Sequence, residues 1–373
     1  PPARSIPPII PAHEHPVDGT IVPPIATSER ESAPPLPTGV ITPEPVPEAP
    51  EPQPIPMMRL IMPIVMVIAA LSMVGLMFMM GGQLNPMTLV FPLMMLMSVF
   101  MMFSPPPGEN TDEIRRTYLR HLGLVREVAR QNAGEQRAHQ LYNYPDPKEL
   151  GSRIGTTRMW ERSDGDMDTM TVRLGLGIAD LCTPIDVGDP GVAEDLEPVC
   201  AVSLRQAVNT VSFLPDMPIV VQLLAFDALA LSEETPAGDA PPEDARSRDA
   251  ALALARAIIC QLALCHGPDT VGIAAHGTGL AWAKWLPHTN PTTLANAPYT
   301  VLVVDGTVPT SQLEELLSQR EWTIVITVNN STPVLSEIVI EDGLSFTVGE
   351  KLIVHVEDAD EELGVPDGLT EAE

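Results

Sequence analysis

Two long stretches without a charged residue constrain this sequence more than any other feature. Leu60–Met80 and Leu84–Phe103 are almost entirely apolar, and only Gly81-Gly82-Gln83 lies between them. A helix of about 20 apolar residues is long enough to cross a hydrocarbon core of about 30 Å. The pattern predicts a two-helix transmembrane hairpin within residues 57–104, with both ends on one side. A buried helical pair in a soluble core is the alternative, but such pairs are rarely so long and so free of charge.

Basic residues on both flanks predict the orientation of this hairpin. Arg59 precedes the first stretch, and five arginines follow the second between residues 115 and 130. Because Lys and Arg concentrate on the cytoplasmic side of a membrane, the sequence predicts a multi-pass membrane protein with both termini cytoplasmic. The four cysteines form no CxxC pair, and no His cluster stands at metal spacing, so we expect reduced structural thiols and no metal site.

The regions on either side of the hairpin differ in composition. Residues 1–56 are rich in proline and poor in bulky side chains, which predicts a disordered tail. The chain starts with Pro1 rather than Met, and we expect it to be a segment of a longer protein. Residues 174–373 hold thirty-one acidic residues against seven basic ones. This excess disfavours nucleic-acid binding, which depends on Lys and Arg.

A charged amphipathic helix is predicted directly after the hairpin, in a stalk region at residues 105–149. Ile114, Tyr118, Leu122 and Val125 recur along it at helical spacing. We interpret this apolar face as a surface for a partner protein. An ordinary helix packed on its own domain is the alternative, and the sequence does not separate the two.

Residues 150–217 predict a β-rich region associated with the stalk, including a strand at Met170–Ile178. Gly175 and Gly177 in this strand resemble the opening of a dinucleotide-binding fingerprint, but no helix is predicted to follow them. Two glycines in a hairpin are the better interpretation.

From residue 218 onward apolar strands alternate with helices, which is the pattern of a parallel α/β sheet. The predicted elements include a helix at Ala250–His266, a strand at Thr300–Asp305 and antiparallel strands within residues 338–356. The order of elements is that of a RecA-like core. For residues 218–373 we therefore predict an α/β domain with a degenerate RecA-like, parallel-sheet nucleotidase fold and added β-strands.

The phosphate-binding loop of such a fold is missing from its expected place. The segment between Leu231 and Ala250 has one glycine, no lysine and six acidic residues, so it would repel ATP. The strand that ends at Asp305 resembles a Walker B strand, whose aspartate would help to hold magnesium. Gly306 stands where a catalytic glutamate would be expected. Asp305 is therefore a degenerate Walker-B-like candidate, and no intact nucleotide site or catalytic residue is predicted.

Short motifs in a fixed order resemble the EccC family, the FtsK/SpoIIIE-type membrane ATPases of type VII (ESX) secretion systems in actinobacteria. They include Tyr118-Leu119-Arg120, Met159-Trp160-Glu161-Arg162, Arg256–Ala263 and Trp282–His288. Together they cover roughly residues 57–330. The resemblance implies a degenerate ATPase fold as the first cytoplasmic domain, with further ATPase domains downstream in the family.

The resemblance implies that this chain is the membrane-anchored N-terminal part of a secretion ATPase of the plasma (inner) membrane, which anchors and regulates a protein-export motor. It implies no cofactor in this chain, and ATP and Mg²⁺ for downstream domains. Implied partners are the lipid bilayer, other inner-membrane subunits in an oligomeric complex, and exported helical substrate pairs bound through downstream domains. Two alternatives stay open: a non-catalytic membrane scaffold that recruits a separate ATPase, and a fold that binds nucleotide in a non-standard way.

Overall fold

The computed structural model describes residues 30–49, 57–79, 90, 93–94, 97, 111–189, 192–233, 249–329, 343–356 and 359–370. Most of the predicted disordered tail and most of the segment that replaces a phosphate-binding loop lie outside these residues. The chain divides into two compact units. The first comprises the described parts of Pro1–Pro34, Gln140–Ile178 and Asp216–Glu373, and the second those of Pro35–His139 and Ala179–Pro215.

The described elements are six α-helices and nine β-strands, joined in part by short 3-10 turns. The helices are α1 (Met57–Met79), α2 (Thr111–Asn143), α3 (Pro198–Val211), α4 (Ala250–Cys265), α5 (Pro291–Asn296) and α6 (Thr310–Gln319). The strands are β1 (Thr171–Asp180), β2 (Phe213–Gln222), β3 (Ala228–Glu233), β4 (Val271–His276), β5 (Tyr299–Asp305), β6 (Ile324–Val328), β7 (Gly343–Val348), β8 (Leu352–Val356) and β9 (Ala359–Pro366).

The predicted two-helix transmembrane hairpin is wrong. Within the described ranges, no helix combines the length and the apolar character that a membrane crossing needs. The first apolar stretch forms α1, which contains Pro63, and most of the second stretch lies outside the described residues. The prediction rested on the length of the two stretches, on their lack of charge and on prolines near the helix starts, where proline is tolerated. A membrane span requires a long apolar run, but such a run in the sequence does not by itself establish one.

The nine strands form one mixed sheet in the order β2-β1-β9-β8-β7-β3-β6-β5-β4. Neighbouring strands from β7 to β4 are parallel, whereas β1, β9, β8 and β7 pair antiparallel. The structure thus has the predicted α/β class, and its mixed sheet consists of a parallel part from β7 to β4 with antiparallel strands beside it. The antiparallel pair of β7 and β8 agrees with the strands predicted near the C-terminal end, of which residues 338–342 lie outside the described ranges.

Helix α4 and the parallel strands form the main core of the first unit. The sequence of α4 is apolar on nearly every side, and its alanines and leucines favour a helix. It ends at Cys265, before Gly267-Pro268, as predicted. Strand β5 separates two layers, because its side chains alternate between faces. Val301 and Val303 pack in the cluster that contains α4, and Leu302 and Val304 pack with α6.

The glycines of β1 lie inside a strand and not in the expected hairpin. A Cβ atom on Gly175 would lie 2.2 Å from the carbonyl oxygen of Val365, and one on Gly177 would lie 2.2 Å from that of Leu363. Both contacts are with the backbone of β9, which pairs with β1. The two glycines therefore permit a close approach of two backbones, a role that fingerprint matching cannot reveal.

The second unit contains a helix in the region predicted to be β-rich. Helix α3 begins with Pro198, and the Glu197 carboxylate caps it by accepting a hydrogen bond from the Cys200 N–H at 2.7 Å. Arg115 of α2 donates to the same carboxylate at 2.8 Å, which ties the start of α3 to α2. The strand-like composition of this segment misled the prediction, because the cap and the proline at the first turn set the helix start.

Candidate functional site

Asp305, the Walker-B-like candidate, lies at the end of β5 and is buried. Its carboxylate accepts a hydrogen bond from the Gly279 N–H at 2.8 Å and one from the Thr307 N–H at 2.8 Å. The Thr307 hydroxyl also donates to it. Asp305 therefore joins the loop after β4 to the loop after β5. Three donors already use a carboxylate that a Walker B site would leave for magnesium and its water.

Gly277 brings the loop after β4 against this carboxylate. Its φ angle is +124°, a conformation that L side chains rarely adopt. A Cβ atom at this position would lie 2.0 Å from the carboxylate carbon of Asp305. The next residue, Thr278, donates its N–H to the Thr307 hydroxyl oxygen at 3.0 Å. The loop therefore directs its N–H groups toward protein acceptors and not toward the cavity beside it.

Gly306 also has a steric reason to be glycine. A Cβ atom on it would lie 2.5 Å from the backbone oxygen of Asn329, at the end of β6. The catalytic glutamate expected at this position would not fit unless one of the two backbones moved. The close packing of β5 against β6 thus accounts for the departure from the Walker B pattern at Gly306.

A cavity of about 430 Å³ opens where β3, β5 and β6 end and α4 begins. Glu233, Asp249 and Asp305 contribute carboxylates to it. Among the described residues its lining is Glu233, Asp249, Leu252, Thr278, Gly279, Asp305, Gly306, Thr307, Val328 and Asn329. This described lining contains no Lys or Arg, so these residues provide no positive charge for a phosphate group.

The pKa of Glu233 is raised in this cavity. Burial raises its pKa and the nearby Asp249 carboxylate adds to the increase, while a hydrogen bond from Asn329 opposes it. The Asn329 side chain donates to a Glu233 carboxylate oxygen at 2.9 Å and accepts the Glu233 N–H at 2.9 Å. Across the described residues, no group of three His, Cys, Asp or Glu side chains is arranged to hold a metal ion. The described lining of the cavity is acidic and disfavours anions.

The predicted partner face of α2 points into its own unit. Tyr118 and Leu122 are buried and form a cluster with Cys200 and Leu204 of α3. The Tyr118 hydroxyl also donates to the backbone oxygen of Glu44 at 3.2 Å. The other two predicted residues follow the same side, where Val125 is buried and Ile114 is partly exposed. This arrangement is that of the alternative, an ordinary helix packed on its own domain.

Comparison with known proteins gives the family. The chain is 34% identical over 276 residues to the ESX secretion system protein EccC of Thermomonospora curvata, a match that covers 71% of this chain and 20% of that relative. It is 32% identical over 275 residues to EccC3 of the ESX-3 secretion system of Mycobacterium tuberculosis, covering 71% of this chain and 20% of that protein. No protein-family model matches the chain.

This chain is an EccC-type segment. A further relative, EccC4 of the ESX-4 secretion system of Mycobacterium tuberculosis, is 31% identical over 268 residues, which cover 69% of this chain and 21% of the relative. The predicted resemblance to EccC is thereby confirmed. The chain spans about a fifth of the length of the EccC relatives described above.

This EccC-type segment also contains a buried histidine pair that sequence reasoning missed. His266 is fully buried at the end of α4, where its Nε2 accepts the Met170 N–H at 3.1 Å and its Nδ1 donates to the Leu262 backbone oxygen at 3.2 Å. His288 donates from Nε2 to the His266 backbone oxygen at 2.9 Å. The sequence predicts His266 only as the last residue of the helix at Ala250–His266. No spacing rule links two histidines that come together only through the fold.

Burial keeps both rings of this EccC histidine pair neutral. It lowers the pKa of His266 to about 4, and the positive charge of Arg162 acts in the same direction. Burial also lowers the pKa of His288, against the hydrogen bond to the His266 carbonyl, which raises it. Because each ring bonds to a carbonyl through one nitrogen, the proton position is fixed: Nδ1 carries it on His266 and Nε2 on His288.

Proposed function

We propose that this chain is a non-catalytic part of an ESX secretion protein of the EccC type, in which the α/β unit has a structural and regulatory role in protein export. The observation that carries the proposal is the state of Asp305. Its carboxylate binds two loops together through three hydrogen bonds. A group used in this way stabilises the fold instead of holding a metal ion.

The acidic cavity beside Asp305 supports the same proposal. Nucleotide phosphates bind where backbone N–H groups and basic side chains converge. Here three carboxylates line the cavity, and the N–H groups of Thr278, Gly279 and Thr307 already have protein acceptors. ATP and Mg²⁺ belong, on this proposal, to other parts of an EccC protein, together with the recognition of exported substrates. Other subunits of the secretion complex are the partners we propose for this chain.

Titration of a fluorescent ATP analogue with Mg²⁺ onto the whole chain tests the absence of nucleotide chemistry. We expect no saturable signal up to about 1 mM, the concentration at which a binding free energy of about −4 kcal/mol would already be visible. Saturable binding that Asp305→Asn abolishes would overturn the proposal in favour of non-standard nucleotide binding.

Export in cells tests the structural role, with Asp305→Asn and Thr307→Val as a matched pair. The first replaces the carboxylate by an amide whose NH₂ group must face an N–H donor. The second removes one hydrogen bond to the carboxylate and leaves its charge. Each should cost about 1–3 kcal/mol, and export should decrease in both in step with thermal stability. Loss of export in Asp305→Asn at unchanged melting temperature, with normal export in Thr307→Val, would contradict a structural role.

A further inference from the structure

Part of the proline-rich segment that precedes α1 is seated on the second unit. Residues 41–49 make an isolated β-bridge near each end, between Ile41 and Ile185 and between Glu48 and Leu196. These nine residues, all of them described, form neither a helix nor a longer strand. We call residues 41–49 the strap, because they lie along the unit and are joined to it at both ends.

Backbone hydrogen bonds join the two ends of the strap to a neighbouring loop. They run from the Ile41 N–H to the Pro184 oxygen (3.0 Å), from the Asp186 N–H to the Ile41 oxygen (3.0 Å), from the Glu197 N–H to the Pro47 oxygen (2.9 Å) and from the Ala49 N–H to the Asp195 oxygen (2.7 Å). Pairing of this kind uses main-chain groups, as when a peptide adds a strand to the edge of a sheet. We call the surface under the strap, formed by these loop residues and α2, the strap groove.

Helix α2 holds the middle of the strap through side chains. The Glu44 N–H donates to His121 Nε2 at 3.0 Å, and the Tyr118 hydroxyl donates to the Glu44 backbone oxygen at 3.2 Å. Two residues later, Val46 packs against the apolar cluster that Tyr118 and Leu122 form with α3. The strap groove therefore receives a free N–H and C=O at one position and an apolar side chain at another.

Contacts that do not involve the strap hold the groove in shape. Gln136 of α2 donates to the Asp180 oxygen at 2.9 Å and accepts the Cys182 N–H at 2.8 Å, which fixes the chain just before the first loop contact. Arg115 of α2 donates to the Glu197 carboxylate at 2.8 Å, which fixes the second. The groove is thus preorganised, and a segment that binds it loses less free energy to ordering.

The strap itself buries little apolar surface. Pro43 is its one buried residue, whereas Thr42, Glu44, Pro45 and Glu48 are exposed. Segments with few buried apolar contacts and with hydrogen bonds near solvent open locally, without unfolding of the rest of the protein. The cluster below the strap consists of side chains from α2 and α3, so loss of the strap does not remove the packing between the two helices.

We propose that the strap opens from its groove and that the groove then binds an extended proline-rich segment of a partner protein. The N–H groups that the groove accepts come from Ile41, Glu44 and Ala49, none of which is proline. The prolines of the strap therefore cost no hydrogen bond to the groove, and each fixes a φ angle that a flexible segment would have to order. A partner segment needs residues other than proline at the three donor positions and an apolar residue in the place of Val46.

The identity of the partner rests on the proposed function, in which other subunits of the secretion complex contact this chain. The strap competes with such a subunit for the groove, so docking is inhibited while the strap is closed. Asp305 belongs to the first unit and the strap to the second. Saturable nucleotide binding at Asp305 would therefore contradict the proposed function without affecting peptide binding to the groove.

Hydrogen exchange of the whole chain tests the opening of the strap. After correction for intrinsic rates, the amides of Ile41, Glu44 and Ala49 should exchange about a hundredfold faster than that of Leu122 in α2. Low concentrations of urea should hardly accelerate them, since local opening exposes little surface. Exchange at the rate of Leu122, with the same dependence on urea, would show that the strap opens only when the unit unfolds and would overturn the proposal.

Binding of a fluorescent, capped peptide of residues 40–49 to the whole chain tests the groove. Val46→Asp weakens the strap, because it puts a charge where Val46 packs on the apolar cluster, and it leaves the groove unchanged. The peptide should bind this variant about tenfold more tightly than the parent chain, whose groove is open for about a tenth of the time or less. Absence of saturable binding to Val46→Asp up to about 1 mM would rule out the groove as a docking site.

Thr42→Asp is the matched control for Val46→Asp. Thr42 belongs to the strap but is exposed, so the same charge at this position should leave peptide binding as it is in the parent chain. Tighter binding in both variants would mean that the added charge, and not release of Val46 from the groove, causes the effect, and would contradict the proposal.

Glu44→Pro loosens the strap in a second way, which keeps the groove testable if Val46→Asp does not fold. It removes the N–H that His121 accepts and adds no charge. The peptide retains this N–H and should bind the variant about fivefold more tightly than the parent chain, as expected for one hydrogen bond. A peptide with proline in the place of Glu44 should bind about fivefold more weakly than the original. Equal affinity of the two peptides would show that His121 is not part of a docking site.

A second copy of this chain is the competing source of the segment. Energy transfer between two differently labelled samples of the parent chain reports pairs of copies, and we expect the same signal from the parent and from Val46→Asp. Pairs that form in the parent and are lost in Val46→Asp would show that the strap of one copy occupies the groove of another. The assignment of the groove to a partner protein would then be wrong.

Discussion

The two cavities of the α/β unit lie in one core but have opposite chemistry. The cavity at Asp305 is lined by carboxylates, and the hydrogen-bonding groups described around Asp305 are paired within the protein. A second cavity, of about 340 Å³, has a mainly apolar lining among the described residues, and one ring nitrogen of its lining residue His288 has no hydrogen-bond partner among them. The first cavity stands where the sequence resembles a nucleotide site, and the second has no recognisable motif. Resemblance to a nucleotide-binding motif therefore does not predict the chemistry of the cavity beside it.

We expect the largest difference between the two cavities when glycines beside them are replaced by alanine. Gly277→Ala introduces a Cβ atom 2.0 Å from the Asp305 carboxylate at a φ angle of +124°. We expect it to lower the free energy of unfolding by about 3 kcal/mol or more, since strain and overlap add. At the other cavity, the Cβ atom of Gly151→Ala would meet open space. This substitution should change the free energy of unfolding by less than about 0.5 kcal/mol. Urea unfolding of both variants measures the difference, and similar midpoints would show that the Asp305 loop is not packed as described.

Acidification should lower the free energy of unfolding because of the buried His266. Burial lowers the pKa of His266 to about 4 from its ordinary value of 6.5, so the unfolded chain binds a proton in this range more readily than the folded one. Stability is therefore lost as the pH falls from about 6.5 to about 4, by a total of about 3 kcal/mol for this group. His266→Gln, which does not titrate, should have a flatter stability profile over the same pH range. A profile identical to that of the parent would mean that His266 is not the group responsible.

The contribution of Glu233 to stability should change with pH in the opposite direction. This is the smallest of the three expected effects. Its pKa is raised by burial and by Asp249, so its charged form is disfavoured in the folded state and stability increases as the pH falls through the raised value. At neutral pH, Glu233→Gln should stabilise the protein by less than about 1 kcal/mol. Asp249→Asn serves as a control that lowers the repulsion but leaves the Asn329 contact in place. Destabilisation by Glu233→Gln would show that the hydrogen bond from the Asn329 side chain outweighs the repulsion.

The elements that the sequence predicted well are those whose apolar pattern and end signals agree. Helix α4 is an apolar run that stops before Gly267-Pro268, and β5 is a run of β-branched and apolar residues. Strand β9 was missed because it is largely acidic and exposed, with no alternation of apolar residues. Its backbone hydrogen bonds to β1 and β8 hold it in the sheet. Such pairing depends on distant partners, which a local pattern does not include.

The candidate site was predictable only in part, for the same reason. The end of β5 at Asp305 could be located, and a local turn to Thr307 is common after an aspartate. The hydrogen bond from the Gly279 N–H comes from the loop after β4. It gives the Asp305 carboxylate a structural role in place of that of a metal ligand. The apolar cavity at His288 draws on four separate segments of the chain, so no window of sequence contains it.

The position of β9 also bears on the order in which the protein acquires its structure. This strand is the last of the described strands in sequence order, yet it lies between β1 and β8 in the sheet. During synthesis, β1 emerges early and must wait for its neighbour until nearly all of the α/β unit has been made. In that interval β1 has an unpaired edge and glycines that expose its backbone, which favours association with other chains. Pairing across so long a separation also slows folding. A chaperone that assists folding in the cell would act on this unpaired edge of β1.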